Sequence, residues 1–457
     1  MRRRRLARIA FSLAWLGTLG LSLRVGATAY GTTPEQLLGL LAASYLGTWG
    51  LIFFLSRRGR AIDAARFAAV TGSIVLAFAA FEVPAALGLV NYRGVFKIPT
   101  PHWRRPGFRP DAELIYVREG DRRTRWDCVG SERYSLRGAA PATVYHCDLR
   151  LDRDGFRNPP GQGTPDVAIV GDSFIEGAHV GESELINVRL ARLTGLEVAN
   201  LGRTGYGPQQ ELVVLRRHAL GRKAETCVWA FYEGNDLQDI HEFEAHRKDL
   251  PRILRSGGGE SFYGRGFVRN ALKFAIQSWL RPEPSRPARA FTGRFVDEAG
   301  REVPIYFGSG VQHGDGAPSL PREGSPEFRS VCSWLAEANA LCRRQGAELI
   351  VVFIPSRFRV YREVCTFEPD SPCRSWPVDD LPGALGAAVA AMSPVVRFLD
   401  LTPRFRAEAD AGGLLYLADD SHWSARGHQV AAEELASLLR PPARVAQAGL
   451  APGTDRR

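Results

Sequence analysis

From about residue 160 onward, short and continuously apolar segments alternate with longer amphipathic ones, and this alternation limits the fold more than any other feature. Five segments have the length and composition of buried strands: VAIVG (167–171), LEVANLG (196–202), TCVWAFYEGND (226–236), AELIVVFIPS (347–356) and VRFLDLT (396–402). Helices are predicted up to Leu193, over 208–220, over 325–345 and over 424–440. Strands that are apolar along their whole length are buried on both faces, which is typical of a parallel sheet with helices on each side. The sequence therefore predicts an α/β protein with a doubly wound parallel sheet.

Three long apolar segments precede this region, at 6–23, 37–55 and 67–90. An α-helix needs roughly 20 residues to cross the hydrocarbon core of a bilayer, so each segment is a candidate membrane span. The first could equally be a signal peptide, because MRRRR precedes it and Ala27-Thr28-Ala29 has the form of a cleavage site. Arginine-rich flanks stay in the cytoplasm, so three spans, or two after cleavage, place the rest of the chain outside a bacterial plasma (inner) membrane.

The formal charge of +10 would suit a protein that binds nucleic acid, but its distribution does not. Residues 1–66 contain ten arginines against only Glu35 and Asp63, a net charge of +8. Most of the excess therefore flanks the candidate spans and has a topological explanation. We expect the lipid bilayer as a partner and no nucleic acid.

Composition divides the chain into four regions. We expect a membrane region with two or three transmembrane helices at 1–95, an extracytoplasmic stalk and lead-in at 96–160, the α/β domain at 161–440 and a disordered tail at 441–457. Residues 237–324 interrupt the α/β domain and are too many for a structureless loop, so they should form an insertion with its own structure. Its predicted amphipathic helix (261–280) and hairpin (293–308) would be either structural additions or a lid over the site.

The seven cysteines fit an oxidising compartment. Cys128 with Cys147, and Cys365 with Cys373, are candidate local disulfides in loop-rich sequence. No pair of cysteines has the spacing of a zinc site, so we expect neither a metal nor another cofactor.

Polar residues stand at the ends of the predicted strands. The first strand ends at Gly171 and is followed by Asp172 and Ser173, the second ends at Gly202, the third ends in EGND, which contains Asn235, and LADDSHWSARGH follows the fifth. Gly-Asp-Ser alone is ordinary turn chemistry at a strand-to-helix junction. Because the carboxyl ends of parallel strands meet at one edge of a sheet, however, these motifs should lie close together and form a site.

The residue types at these positions suit nucleophilic catalysis. A serine hydroxyl becomes a nucleophile only when a neighbouring base removes its proton, and imidazole has a suitable pKa. Ser173 is the predicted nucleophile and His422 the predicted base, whereas His428, on the last helix, is predicted to be structural. A carboxylate must hold the imidazole in the productive tautomer, and either Asp419 or Asp420 could do so.

In this order, the four motifs resemble those of the SGNH (GDSL-type) hydrolase family, and DGFRNP and GYGPQQEL resemble its membrane-tethered bacterial branch. The resemblance covers about residues 150–440 and implies a flavodoxin-like doubly wound sheet, the SGNH hydrolase fold. It also implies an oxyanion hole formed by Ser173, Gly202 and Asn235. The family usually has Gly-x-Asn-Asp in its third block, whereas this chain has EGND, with Glu233 two positions before the asparagine.

The same resemblance bears on the acid. Asp419 gives the Asp-x-x-His spacing of most of the family, and Asp420 gives the Asp-x-His spacing of the alginate-type O-acetyltransferases that share the fold. We favour Asp419. Asp172 is predicted to be a turn former that binds backbone N–H groups. Trp423 is either a packing residue or a mark of the transferases.

The motifs and the resemblance predict a membrane-anchored serine esterase. It would remove short acyl groups, such as acetyl, from an extracytoplasmic glycan or glycolipid through an acyl-serine intermediate. The alternative is an O-acyltransferase of a cell-surface or exported polysaccharide, with polysaccharide-synthesis proteins as candidate partners. A third hypothesis is a non-catalytic glycan-binding protein that retains the hydrolase fold. It is disfavoured because all four motifs are filled.

Overall fold

The computed structural model describes residues 34–55, 60–96, 98, 105, 107–130, 143–255, 262–276, 290–308 and 322–439. The chain divides into two compact units: Met1–Pro110 with Arg252–Pro287, and Asp111–Pro251 with Ala288–Arg457. The first candidate span and the predicted disordered tail lie outside the described residues.

Helices and strands follow one another along the chain much as the sequence pattern predicts. The helices are α1 (Pro34–Leu55), α2 (Arg60–Ala86), α3 (Tyr92–Val95), α4 (Ser173–Glu176), α5 (Ile186–Thr194), α6 (Pro208–Val214), α7 (Asp236–Arg255), α8 (Phe262–Arg265), α9 (Phe267–Ala275), α10 (Pro326–Arg344), α11 (Arg357–Tyr361), α12 (Leu381–Met392), α13 (Thr402–Asp410) and α14 (Ala425–Leu439). The strands are β1 (Phe108–Asp111), β2 (Ile115–Arg118), β3 (Arg123–Val129), β4 (Val144–Arg150), β5 (Val167–Gly171), β6 (Val198–Gly202), β7 (Thr226–Tyr232), β8 (Ala290–Val296), β9 (Glu302–Gly308), β10 (Glu348–Ile354), β11 (Thr366–Phe367) and β12 (Arg397–Asp400).

The first unit contains the candidate membrane spans. Among the described residues, one helix is long and apolar enough to cross a bilayer, Ala61–Ala86 within α2, and its most apolar part contains no buried residue. The apolar part of α1, Gln36–Ile52, is shorter. More than one span therefore stays a prediction.

Part of the predicted insertion belongs to this first unit. The Glu82 carboxylate, near the end of α2, accepts hydrogen bonds from the N–H groups of Phe267 (3.1 Å) and Val268 (2.7 Å) at the start of α9. The ring of Phe81 stacks on that of Phe267 at 4.6 Å. Glu82 thus caps a helix N-terminus, which leaves its charge partnered. Within the first unit, the insertion's helix α9 packs against α1, α2 and α3.

The core of the second unit is a five-stranded sheet in the order β12-β10-β7-β5-β6, and every adjacent pair is parallel. Counted along the chain, this is the order 2-1-3-4-5 of flavodoxin-like proteins. β5, β6 and β7 are buried along their whole length. The predicted parallel sheet is confirmed. Its switch point, where ligands bind in such sheets, lies between β5 and β7.

Helices pack in two groups, one of α5 with α14 and one of α10 with α6 and α12, as a doubly wound sheet requires. β8 and β9 form the predicted antiparallel hairpin, to which β11 adds a third strand. The lead-in, for which no strands are predicted, contains β1 to β4. Pairing in short two-stranded sheets leaves β3 and β4 half exposed, so no clear apolar alternation marks them in the sequence.

All seven cysteines are free thiols in this structure. The sulfur atoms of Cys128 and Cys147 lie 3.3 Å apart between β3 and β4. Cys365 and Cys373 are both buried. The two disulfides stay predictions.

Candidate active site

Ser173 lies directly beyond the carboxyl end of β5, at the switch point of the sheet. A Cβ atom at Gly171 would come within 2.6 Å of the Ile175 side chain, so a glycine is needed where the strand turns into α4. Asp172 caps this turn, since its Oδ1 accepts a hydrogen bond from the Phe174 N–H (2.9 Å). α4 ends at Gly177, which adopts the left-handed conformation. The Gly-Asp-Ser motif thereby presents the Ser173 hydroxyl at the edge of the sheet.

Three side chains form a linear hydrogen-bonded arrangement at this edge. The Ser173 Oγ lies 2.7 Å from the His422 Nε2, and the His422 Nδ1 contacts the Asp420 carboxylate. Asp420 is 2% exposed. Burial by itself would raise the pKa of Asp420, but the charge and the hydrogen bond of His422 hold it well below the ordinary value. This is the geometry of a nucleophile, a base and an orienting acid.

The acid that contacts the imidazole is therefore Asp420, and the favoured Asp419 is not its partner. The Asp420 Oδ1 also accepts the backbone N–H of His422 (2.9 Å), the short-range turn in which an aspartate binds the chain two residues ahead. Asp419 instead accepts a hydrogen bond from the Tyr145 hydroxyl, on β4. The turn from Asp420 to His422 thus places the Asp420 carboxylate, and not that of Asp419, against the imidazole, which corresponds to the Asp-x-His spacing.

A buried arginine holds the loop that carries this acid. Arg357, at the start of α11, donates to the carbonyl oxygens of Leu417 (2.9 Å) and Asp420 (2.8 Å). The hairpin supports the same loop, because the Tyr306 N–H donates to the Ala418 carbonyl (3.0 Å). The Arg-Phe-Arg sequence after β10 gives no signal of this role.

Of the three predicted oxyanion-hole residues, Gly202 is already engaged. Its N–H donates to the Asn200 Oδ1 (2.9 Å), and a Cβ atom there would come within 2.4 Å of the Glu176 nitrogen. Gly202 therefore serves close packing of β6 against α4. Therefore Gly202 does not offer a free N–H group.

Two other backbone N–H groups near this edge are candidate donors. Gly205, in the turn after β6, has a φ of +78°, and its N–H has no acceptor among the described residues. Ser173 is the first residue of α4, where backbone N–H groups lack helical acceptors.

Asn235 stands at the end of β7, across the switch point from Ser173, and its Nδ2 donates to the Asp239 Oδ2 (2.9 Å). The unusual Glu233 anchors this turn. Its carboxylate forms ion pairs with Arg359 and Arg322, each at 2.6 Å, and accepts the Ser356 N–H (2.7 Å). Where the family usually has a flexible glycine, this chain thus has a buried glutamate whose ion pairs hold the turn. Asn235 still follows directly beyond the end of β7.

Beneath this turn lie four carboxyl groups, Asp172, Glu211, Asp236 and Asp239. Burial raises the pKa of each, repulsion between neighbouring carboxylates adds to this for Glu211, Asp236 and Asp239, and the pKa of Asp239 rises to about 8. At neutral pH Asp239 therefore retains its proton and can donate a hydrogen bond. Their sequence context, on three separate elements, gives no hint of the cluster.

His179 also enters the site, although no motif singles it out. Its ring stacks on that of His422, with centroids 4.6 Å apart and planes at 29°. The nitrogens of His179 and His422 and an Asp420 oxygen come close enough to hold a metal ion. Nearly parallel rings, however, direct their in-plane lone pairs along planes that do not converge, and the His422 Nδ1 already contacts Asp420. The cluster fits a triad with a stacked neighbour better than a metal centre.

The two remaining candidates are packing residues. Trp423 is 1% exposed, and its ring lies 5.3 Å from Phe174 and 5.4 Å from His428. His428 is equally buried, and burial lowers its pKa to about 3. A permanently neutral imidazole inside a core is structural.

Residues 319–452 match the family of the SGNH hydrolase-like domain, acetyltransferase AlgX. The matched segment includes β10, β12 and the Asp420–His422 loop, while Ser173 lies before it. Among curated proteins, none matches this chain.

Several solved structures are similar to this chain at low identity. A GDSL-like lipase from Bacteroides thetaiotaomicron is 11% identical over 60% of this chain and 86% of that chain, with a TM-score of 0.29. A catalytic mutant of an acetylxylan esterase from Geobacillus stearothermophilus is 12% identical over 60% and 93%, with a TM-score of 0.31. A carbohydrate esterase family 2 enzyme from Myceliophthora fergusii is 10% identical over 65% and 70%, with a TM-score of 0.29. Likenesses this distant carry no weight for function.

The family match covers the loop of the imidazole and its acid, and the parallel sheet brings the Ser173 hydroxyl to that imidazole. Over residues 319–452 the chain is thus similar to an SGNH hydrolase-like domain, and its Ser173, His422 and Asp420 have the geometry of a serine hydrolase site.

Proposed function

We propose that the protein is an acyl-serine enzyme that transfers a short acyl group, such as acetyl, to a hydroxyl of an extracytoplasmic glycan. Ser173 is the nucleophile, His422 the base and Asp420 the acid. The observation that carries the proposal is the contact of Asp420, rather than Asp419, with the His422 Nδ1, which gives the Asp-x-His spacing of the alginate-type O-acetyltransferases. The family that matches residues 319–452 is named for an acetyltransferase, which supports the same choice.

The chemistry proceeds in two steps that use the same proton carrier. His422 Nε2 takes the proton of the Ser173 hydroxyl while Oγ attacks the carbonyl carbon of an acyl donor. The His422 cation, stabilised by the Asp420 carboxylate, then protonates the leaving alkoxide and leaves an acyl-serine. In the second step an incoming hydroxyl gives its proton to His422 and takes the acyl group. The proton returns to Ser173 Oγ, so atoms and charge balance over the cycle.

The tetrahedral oxyanion in each step needs fixed hydrogen-bond donors, each worth about 3 kcal/mol of transition-state stabilisation. We assign this role to the Ser173 N–H and the Asn235 amide. Gly205 replaces Gly202 as the donor from the β6 turn, because the Gly202 N–H is bonded to Asn200.

The second candidate is ester hydrolysis, in which water replaces the glycan hydroxyl in the second step. It was the leading expectation from the sequence, and the same three residues would catalyse it. The distinction depends only on which acceptor reaches the acyl-serine.

The apolar stretch Ala61–Ala86 supports the proposal of a membrane anchor, with residues beyond about 95 outside the bacterial inner membrane. The substrate would then be a cell-surface or exported glycan or glycolipid. Proteins of polysaccharide synthesis remain candidate partners.

One experiment separates these functions. The full chain, purified in detergent, is incubated with an aryl acetate, with and without an oligosaccharide acceptor, and the products are analysed by mass spectrometry. We expect acetylated oligosaccharide with the wild type and none with Ser173→Ala. Free acetate alone, at a rate that the acceptor does not change, would favour the esterase. A folded wild-type chain that releases neither product would overturn both functions.

A further inference from the structure

The segment that supplies the nucleophile also supplies two rings that contact the catalytic imidazole. Phe174, directly after Ser173, lies 5.2 Å from the His422 ring with the planes at 33°. His179 lies closer, at 4.6 Å and 29°. A histidine has a broad torsion about its ring bond, so two hydrogen bonds alone leave its plane free to rock. Neighbouring rings limit that freedom.

Packing, rather than a hydrogen bond at its Nδ1, holds the His179 ring. The Nδ1 atom is buried and has no hydrogen-bond partner among the described residues. The Tyr145 ring packs edge-on against it at 5.6 Å and 87°, and the Tyr145 hydroxyl is tied to Asp419. Next to His179, the Val180 carbonyl accepts a hydrogen bond from the buried Arg157 (2.8 Å). Asp419 thus supports the imidazole indirectly, through Tyr145 and His179.

Burial, more than the charges around it, keeps His179 neutral. The charged groups near it on the side of Ser173 are His422, Asp420, Asp419 and Glu176. On its other side lies a cavity of about 390 Å³, whose charged and titratable lining residues are Arg123, His146, Asp148, Arg150 and Glu182. Burial, and then the proximity of His422, lower the pKa of His179 to about 4. A neutral ring does not repel the cation that forms on His422 during acyl transfer, and its face attracts a positive charge.

We infer that His179 is a positioning residue whose ring stacks on His422 and fixes the plane in which Nε2 meets Ser173 and Nδ1 meets Asp420. The inference rests on the proposed function, since it presumes that His422 activates Ser173. In this role His179 contributes the flat face of its ring, and its ring nitrogens neither accept nor donate a proton. Phenylalanine should therefore replace His179, whereas alanine should not.

The test measures the rate at which a fluorophosphonate labels Ser173, because that rate needs His422 as a base but no knowledge of the natural substrate. Wild type, His179→Ala, His179→Phe and the control His146→Ala are compared as full chains of equal melting temperature. His146 lines the same cavity, but its only described side-chain contact is with Asp127. Since small misplacements of catalytic groups cost up to about 100-fold, we expect labelling to fall about 10- to 100-fold in His179→Ala. It should stay within about threefold of wild type in His179→Phe and in His146→Ala.

The steady-state parameters give a second reading on the aryl acetate. The His179→Ala loss should appear in kcat with KM nearly unchanged, because His179 acts on the base and not on the ester. Wild-type labelling in His179→Ala would overturn the inference alone. Equal losses in the alanine and phenylalanine variants would overturn it too, since they would assign the role to the imidazole nitrogens. A wild-type chain that is not labelled at Ser173 would overturn the proposed function, and the inference with it.

Discussion

The strongest test of the site is the pair of substitutions Asp420→Asn and Asp419→Asn. These neighbours are similarly buried, at 2% and 5% exposure, and each substitution keeps the size of the side chain. Only Asp420 contacts His422, so an amide there would present a donor to Nδ1 and favour the tautomer whose Nε2 already carries a proton. That imidazole cannot accept the proton of Ser173. Where such a triad was tested, the loss in kcat was about 10⁴-fold, which corresponds to about 5.5 kcal/mol of transition-state stabilisation.

Asp419→Asn should cost much less, since an amide oxygen can still accept the Tyr145 hydroxyl. We expect a loss below about tenfold, transmitted through Tyr145 and His179. The assay is kcat/KM of both variants on the same aryl acetate, with melting temperatures to exclude misfolding. A larger loss from Asp419→Asn would refute the assignment of Asp420, and equal small losses from both would refute the triad.

Three further predictions concern the nucleophile, the buried acids and the topology. Ser173→Ala should abolish both ester turnover and phosphonate labelling while leaving the melting temperature unchanged; labelling of another serine would show that the wrong nucleophile was assigned. Burial raises the pKa of Asp239 from 3.8 to about 8, so the folded chain retains a proton that the unfolded chain releases, and stability should fall as the pH rises through that interval. Asp239→Asn should flatten this decline, measured as melting temperature between pH 5 and pH 8.5, and an unchanged slope would contradict it. Alkaline phosphatase fused to the C-terminus should be active outside the cytoplasm, because both counts of spans place it there; an inactive fusion would overturn the compartment.

The sequence was sufficient to predict the parallel sheet and the meeting of Ser173 with His422. Both follow from one physical fact, that the carboxyl ends of parallel strands share an edge, so motifs far apart in the chain converge once the strands are recognised. The choice between Asp419 and Asp420 could not be made in this way. Either carboxylate can reach the imidazole from a loop of this length, and the outcome depends on a turn within the loop and on a hydroxyl from another sheet.

Residues that act through shape left no mark in the sequence. His179 stands in an Ala-His-Val segment with no recognisable spacing, and Tyr145 lies in a lead-in for which no strands are predicted. Their roles exist only because β3 and β4 pack against the catalytic loop. The role of Arg357 is equally hidden in the sequence, since an arginine after a strand could bind any of several carbonyl groups. Such contacts are tertiary, and local pattern does not encode them.

The third motif shows how a departure from a family pattern can be read physically. A glycine two residues before the asparagine would let the chain turn freely at the strand end, whereas this chain has Glu233, whose carboxylate is buried and paired with two arginines. Breaking a buried pair by removing one partner is costly, because the other charge stays uncompensated, so the two arginines anchor the turn. The arginines come from α11 and from the segment before α10, so the turn that carries Asn235 is anchored to two neighbouring elements. In this chain the third motif is therefore better recognised as a buried strand followed by an asparagine than by the position of a glycine.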